Sequence, residues 1–188
     1  MPPQSYSVNE METKSTSPAT PEDPTAGTLQ RLGEVAERVA ATTRKLEKTA
    51  IVGEYLKLLD DDDLSRAARY LAGHQFPLND SRTTNVGGSI ISTALSEATG
   101  LSLQELSPIY VRLGDAGEAA YEAVNASKHF SGPEISLAET ESIITRLSDT
   151  RGIKNKTAIL TTTLTRATPL EAKYLIKLLS GDLRIGLR

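Results

Sequence analysis

The chain has 188 residues, no cysteine, two histidines and a formal net charge of −3; 38% of its residues are hydrophobic and only 4% aromatic. Such a chain is long enough for one domain with a sizeable core built from Leu, Ile, Val and Ala, a composition that favours packed helices. Disulfides, cysteine nucleophiles, cysteine-based metal sites and a histidine-rich metal centre are excluded, and with no signal-peptide pattern and no apolar run near the ~20 residues of a membrane span the expectation is a soluble intracellular protein.

Residues 1–27 are rich in Pro, Ser, Thr and Glu and poor in large apolar residues. Too little surface can be buried to offset the entropy of ordering, so a disordered tail is expected. It lacks the arginine richness of a transit peptide. From residue 28 to 188 a helical domain is predicted. Leu29, Leu32, Val35, Ala36 and Val39 form one amphipathic stretch, and Leu46, Ala50, Ile51, Tyr55, Leu56 and Leu59 a second. Asp61 to Asp63 open a third helix over about 63–72, stopped by Gly73. The run Asp60 to Asp63 is read as a solvated helix start rather than a metal site.

Next comes the one long irregular stretch, HQFPLNDSRTTNVGG over 74–88, and ordered loops of that length are uncommon unless functional. It delivers Gly87, Gly88 and Ser89 to the start of a helix running to Thr99. Free N–H groups there suit an anion, or serve as an ordinary N-terminus with nothing bound. Ser102 with Glu105, Asp115 with Glu118, Ser136 with Glu139 and Thr168 with Glu171 repeat the capping-box spacing before apolar-periodic runs. No alternating strand pattern of useful length and no fixed-period repeat appears. The fold class is therefore all-α.

In the last helix Pro169 fits the first position, Leu170, Tyr174, Leu175, Leu178 and Leu179 make one apolar face, and Gly181 stops it. Lys173 and Lys177 fall off that face, and their role is open at this level. Residues 146–188 hold nine basic and three acidic residues, whereas residues 27–145 hold 11 basic and 17 acidic. That asymmetry fits a polyanion-facing surface, or a basic face balanced by the acidic part in three dimensions. Within DTRGIKNKTAIL (149–160), Arg151, Gly152, Lys154 and Lys156 cluster at a loop-to-helix junction. Cations there oppose the helix macrodipole, so local helix stability does not account for them. A polyanion held jointly by backbone N–H groups and these cations would; a solvent-exposed basic loop is the plain alternative.

The order of these features, YLAGHQFPLNDSRTTNVGGSIISTALSEATG, GDAGEAA, RGIKNKTAIL and RATPLEAKYLIKLLSGDLRIGL, resembles the N-terminal DNA-binding domain of ATP-dependent DNA ligases, from residue 28 to the end. The closing ATPLEAKYLIKLLSGDLRIGL is the most specific part. The resemblance implies a compact multi-helix array that grips nicked duplex DNA across the minor groove, mostly through phosphates, for nick sealing in replication, repair and recombination. It implies double-stranded DNA as partner, a monomer with no membrane association, and a cytoplasmic, nucleoid-associated location in a prokaryote. Carried onto this chain, the DNA-binding positions are Gly87, Gly88, Ser89, Arg151, Gly152, Lys154, Lys156, Thr168 and Arg184, with Lys173 and Arg188 added from charge and position. His74 departs from the family's usual arginine, and RGIKNK from its usual glycine-serine-glutamine loop.

None of the nine lysines is followed by x-D-G, the family's adenylation motif, and no phosphate-loop signature is present. No catalytic residue, ATP site or metal site is therefore predicted here; ATP and Mg²⁺ would belong to catalytic domains outside these residues. The chain resembles a family domain that stops short of its last helix, so a fragment or short form, with apolar surface exposed near Leu183, Ile185 and Leu187, is expected. A helical protein–protein adaptor of the same architecture is the alternative.

Overall fold

The computed structural model describes residues 23–127 and 132–187, which form nine helices and no strand. They are α1 (Leu29–Ala40), α2 (Lys45–Leu56), α3 (Asp61–Leu71), α4 (Gly88–Thr99), α5 (Leu103–Leu113), α6 (Ala116–Ser127), α7 (Leu137–Asp149), α8 (Ile153–Arg166) and α9 (Pro169–Ser180). None of them is long and apolar enough to cross a membrane. The expected tail lies outside the described residues as far as residue 22. Residues 23–27 belong to the folded body: Ala26 is buried and its carbonyl accepts from the Tyr55 hydroxyl at 3.1 Å. An isolated antiparallel bridge between Thr28 and Ser136 then pins the start of α1 to the start of α7.

Capping follows the sequence closely, because it is a short-range effect. Thr28, Asp60, Ser102, Asp115, Ser136 and Thr168 each accept the backbone N–H three residues on. The reciprocal box closes only at Ser102 and Thr168. Glu118 and Glu139 occupy the right positions, but their carboxylates pair with Lys173 and Arg166. A long-range ion pair has taken the acceptor that the local motif would have used.

The centre of the molecule is α9. Every residue from Glu171 to Leu179 is buried, so the helix is covered on all sides instead of on one face. Its neighbours are α6 and α1, and glycines let both come close. A Cβ on Gly117 of α6 would lie 2.8 Å from the Lys173 carbonyl oxygen. A Cβ on Gly33 of α1 would lie 2.9 Å from the Leu170 and Tyr174 side chains. At the other end of α9, the Gln75 side chain donates to the Leu178 and Leu179 carbonyls at 2.9 and 3.0 Å; Leu178 also accepts the Gly181 N–H of the cap, whereas Leu179 has no backbone donor among the described residues.

This placement decides the fate of two lysines. Lys173 pairs with Glu37 at 2.6 Å and Glu118 at 2.8 Å; Lys177 pairs with Asp115 at 2.5 Å. Burial alone would lower the Lys173 pKa, but the Glu118 and Glu37 carboxylates outweigh it and hold it above its ordinary value. Both cations are internal struts joining α9 to α1 and α6. The tail after α9 also departs from expectation. Leu183 and Ile185 are buried, and the Lys48 ammonium donates to the Ile185 and Gly186 carbonyls at 3.0 and 3.1 Å. Only Leu187 of that trio is exposed.

Candidate nucleic-acid interface

Helices α4 and α8 pack against each other in the same sense. Near their starts the Lys156 ammonium donates to the Thr84 carbonyl, just ahead of α4; further along the Thr161 hydroxyl donates to Glu97 Oε2 at 2.8 Å. Their N-termini therefore share one end of the molecule, and their positive dipole ends add there. Both open with a glycine, Gly87 and Gly152, and neither start is capped by a side chain. This sets them apart from the six starts capped by Thr, Ser or Asp. Backbone N–H groups of both first turns are left without a side-chain acceptor, and neither first turn carries an acidic residue.

Gly87, Gly88 and Ser89 are exposed, and a Cβ on either glycine would meet nothing within 4 Å. Gly152 has φ +86°, a left-handed value that turns the chain into α8 and that a side chain would strain. Arg151 and Lys154 flank it, both exposed, and no acidic side chain among the described residues pairs with either. So Gly87, Gly88, Ser89, Arg151, Gly152 and Lys154, separated by more than 60 residues of chain, meet at one end.

The other positions singled out from the sequence stand elsewhere. Lys156 belongs to the same junction but points inward; it is buried, and its charge is spent on Thr84. It holds the two helix starts together and does not face solvent. Thr168 lies beyond the far end of α8, about 20 Å away at 1.5 Å per helical residue. Its hydroxyl is committed to the Glu171 N–H and to Gln30, at 3.1 and 2.7 Å. It and Lys173 line a cleft that also holds Glu34, Glu37, Glu118 and Glu134, an acidic wall that repels phosphate. Arg184, at φ +47°, is exposed but bound to Asp182 through two contacts of 2.6 Å. Asp182 raises its pKa further. Arg188 lies outside the described residues.

Two residues near the junction escaped the sequence reading. Asn85 has φ +48°, and this left-handed turn directs Val86 into the core and Gly87 to the surface. Asparagine is one of the few non-glycine residues that tolerates it, and that preference was the available signal. Arg82 stacks over the Phe76 ring at 4.7 Å, is held by Asp80 at 2.7 Å, and reaches to 4.0 Å from Asp149 near the start of α8. No short-range pattern foretells that placement.

A family model described as the DNA ligase N terminus matches residues 28–188. The chain is 34% identical over 163 residues to a probable DNA ligase of Koribacter versatilis, covering 85% of this chain and 28% of that protein. It is 34% identical over 186 residues to a probable DNA ligase of Opitutus terrae, with 81% and 18% covered. A DNA ligase of Methanothrix thermoacetophila is 34% identical over 172 residues, with 83% and 29% covered. The chain thus spans less than a third of the length of these relatives.

Proposed function

Because the chain belongs to the family of DNA ligase N-terminal regions, we propose that it is a DNA-binding module of an ATP-dependent ligase. In this role it grips nicked duplex DNA by its backbone phosphates and so supports nick sealing in replication, repair and recombination. The observation that carries the proposal is the pair of glycine-opened, uncapped helix starts, α4 and α8, held side by side, with Arg151 and Lys154 at the head of α8 paired to no acidic side chain among the described residues. Backbone N–H groups at helix N-termini, positive dipole ends and two free cations together form a phosphate site. Such contacts position a protein on DNA without reading its bases. The sealing chemistry, with its ATP and Mg²⁺, belongs in this reading to residues outside this chain. The module acts as a monomer on nucleoid DNA in the cytoplasm.

Fluorescence anisotropy with labelled nicked, intact and single-stranded DNA across a salt series tests this. Each phosphate neutralised on duplex DNA adds about 0.9 to the log–log salt slope. Arg151→Ala and Lys154→Ala are each expected to flatten it by about that amount, while Lys173→Ala leaves it unchanged. A folded chain that binds no DNA at low salt would overturn the proposal. The competing reading is a protein–protein adaptor. It draws on α5, where only Leu106 is buried while Leu103 and Val111 are 52% and 82% exposed. Absence of DNA binding would favour it.

A further inference from the structure

The buried stripe of α8 runs through Lys156, Thr157, Leu160, Thr163 and Leu164. One turn ahead, three and four residues before the first two, the same stripe passes through Ile153. There the core has ended: Ile153 is 67% exposed. A large apolar side chain thus stands uncovered in the first turn of α8, between Gly152 and Lys154. It shares that end of the molecule with the open backbone of Gly87 and Gly88. Single exposed apolar residues are ordinary on protein surfaces. This one sits inside the charged patch, where neither fold nor phosphate binding has a use for it.

We infer that Ile153 is an apolar contact to the DNA, seated against the deoxyribose C–H faces beside the phosphates that the two helix starts hold. The inference rests on the phosphate-gripping reading above. An aliphatic side chain forms no hydrogen bond to a phosphate or a base edge, so what it brings to a complex is the apolar surface it buries. The C–H faces of the sugars flank each phosphate, so an apolar side chain beside a phosphate-holding helix start meets apolar surface there. Burial of Ile153 there adds affinity that does not come from counterion release. Its contribution is therefore separable from that of Arg151 and Lys154.

The test is anisotropy of the 188-residue chain with a nicked duplex across a salt series, for wild type, Ile153→Ala, Ile153→Val and Lys154→Ala, with a thermal melt of each. Ile153→Ala is expected to weaken binding about ten-fold at every salt concentration with the slope unchanged, from the apolar area it no longer buries. Ile153→Val should retain most of the affinity, and Lys154→Ala should change the slope. An Ile153→Ala variant that binds like wild type, while wild type shows a steep salt slope, would overturn this inference and leave the phosphate grip standing. So would a ten-fold loss accompanied by a lowered melting temperature that Ile153→Val shares. Wild-type protein without salt-dependent binding would remove both.

Discussion

Asp115 is the most exposing place to perturb this fold. Its carboxylate does two things at once: it accepts the Glu118 N–H at 2.9 Å, capping α6, and pairs with Lys177 on α9 at 2.5 Å. Both side chains are largely buried, with 6% of Lys177 and 13% of Asp115 exposed. Removing one member of a buried pair leaves an uncompensated charge and costs about 3–5 kcal/mol, and loss of an N-cap adds about 1 kcal/mol. Glu118, 3.8 Å from the Lys177 ammonium, recovers part of this. Asp115→Ala is therefore expected to lose about 4 kcal/mol, a large share of the ~5–15 kcal/mol that holds a typical domain together. Lys177→Met should cost about 1–2 kcal/mol. It removes the desolvated ammonium, keeps an aliphatic stem against Gly117, and leaves Asp115 with its backbone donor. In the double variant the orphaned charge is gone, so its loss should fall well below the sum of the singles, with a coupling of about 2 kcal/mol. Urea unfolding followed by far-UV circular dichroism measures all four corners. Additive losses, or Asp115→Ala costing no more than Lys177→Met, would refute the claim that this pair is a desolvated strut.

Acid titration should sort the carboxylates by sign. Burial would raise the Asp115 pKa, but the Lys177 ammonium and backbone N–H groups outweigh it and hold it low; its stabilisation is complete above the unfolded value near 3.9 and lost as pH falls through the lower folded value. Glu171 is the reverse: burial raises it despite N–H donors from Thr168 and Ile135, so its contribution is complete below the unfolded value near 4.3 and lost as pH rises through the folded value. Urea melts between pH 3 and 7 should show the stability of wild type minus Asp115→Asn rising with pH at the acid end, and that of wild type minus Glu171→Gln falling from about pH 4 upward. Gly117→Ala should destabilise by about 1–2 kcal/mol in a thermal melt, because the new Cβ meets the Lys173 carbonyl oxygen at 2.8 Å. Gly53→Ala in α2, with nothing within 4 Å, should instead gain up to about 1 kcal/mol from helix propensity. Gln75→Ala should cost about 1–3 kcal/mol by orphaning the Leu179 carbonyl and the Thr84 hydroxyl, while Leu178 keeps the Gly181 N–H, read by urea unfolding.

What could be read from residues alone was whatever is decided within a few positions of chain. Helix starts at Ser102, Asp115, Ser136 and Thr168, stops at Gly73, Gly100 and Gly181, and the glycine entries to α4 and α8 depend on caps and backbone torsions that act within one turn; the Thr28 cap went unread, and α3, capped by Asp60, starts two residues ahead of the expected 63. The all-α class and the glycine-and-cation cluster at the head of α8 followed from them. What escaped was which side of each helix meets which distant partner. Lys154 and Lys156 are two residues apart in one basic loop, yet one is exposed and the other is buried against Thr84, 72 positions away. Lys173 and Lys177 fall off the one apolar face expected of α9, which leaves their role open in the sequence and Lys173 a DNA-binding candidate by charge and position alone; in the fold α1 and α6 wrap α9, and the carboxylates of Glu37, Asp115 and Glu118 pair with both. Leu46 sits in an apolar-periodic run and is 86% exposed, while Leu183 and Ile185, in a tail expected to lie bare, are covered. Periodicity tells a helix from a strand because it is a property of one segment. Burial, charge neutralisation and the meeting of two helix starts are properties of pairs of segments, and only the packed chain decides them.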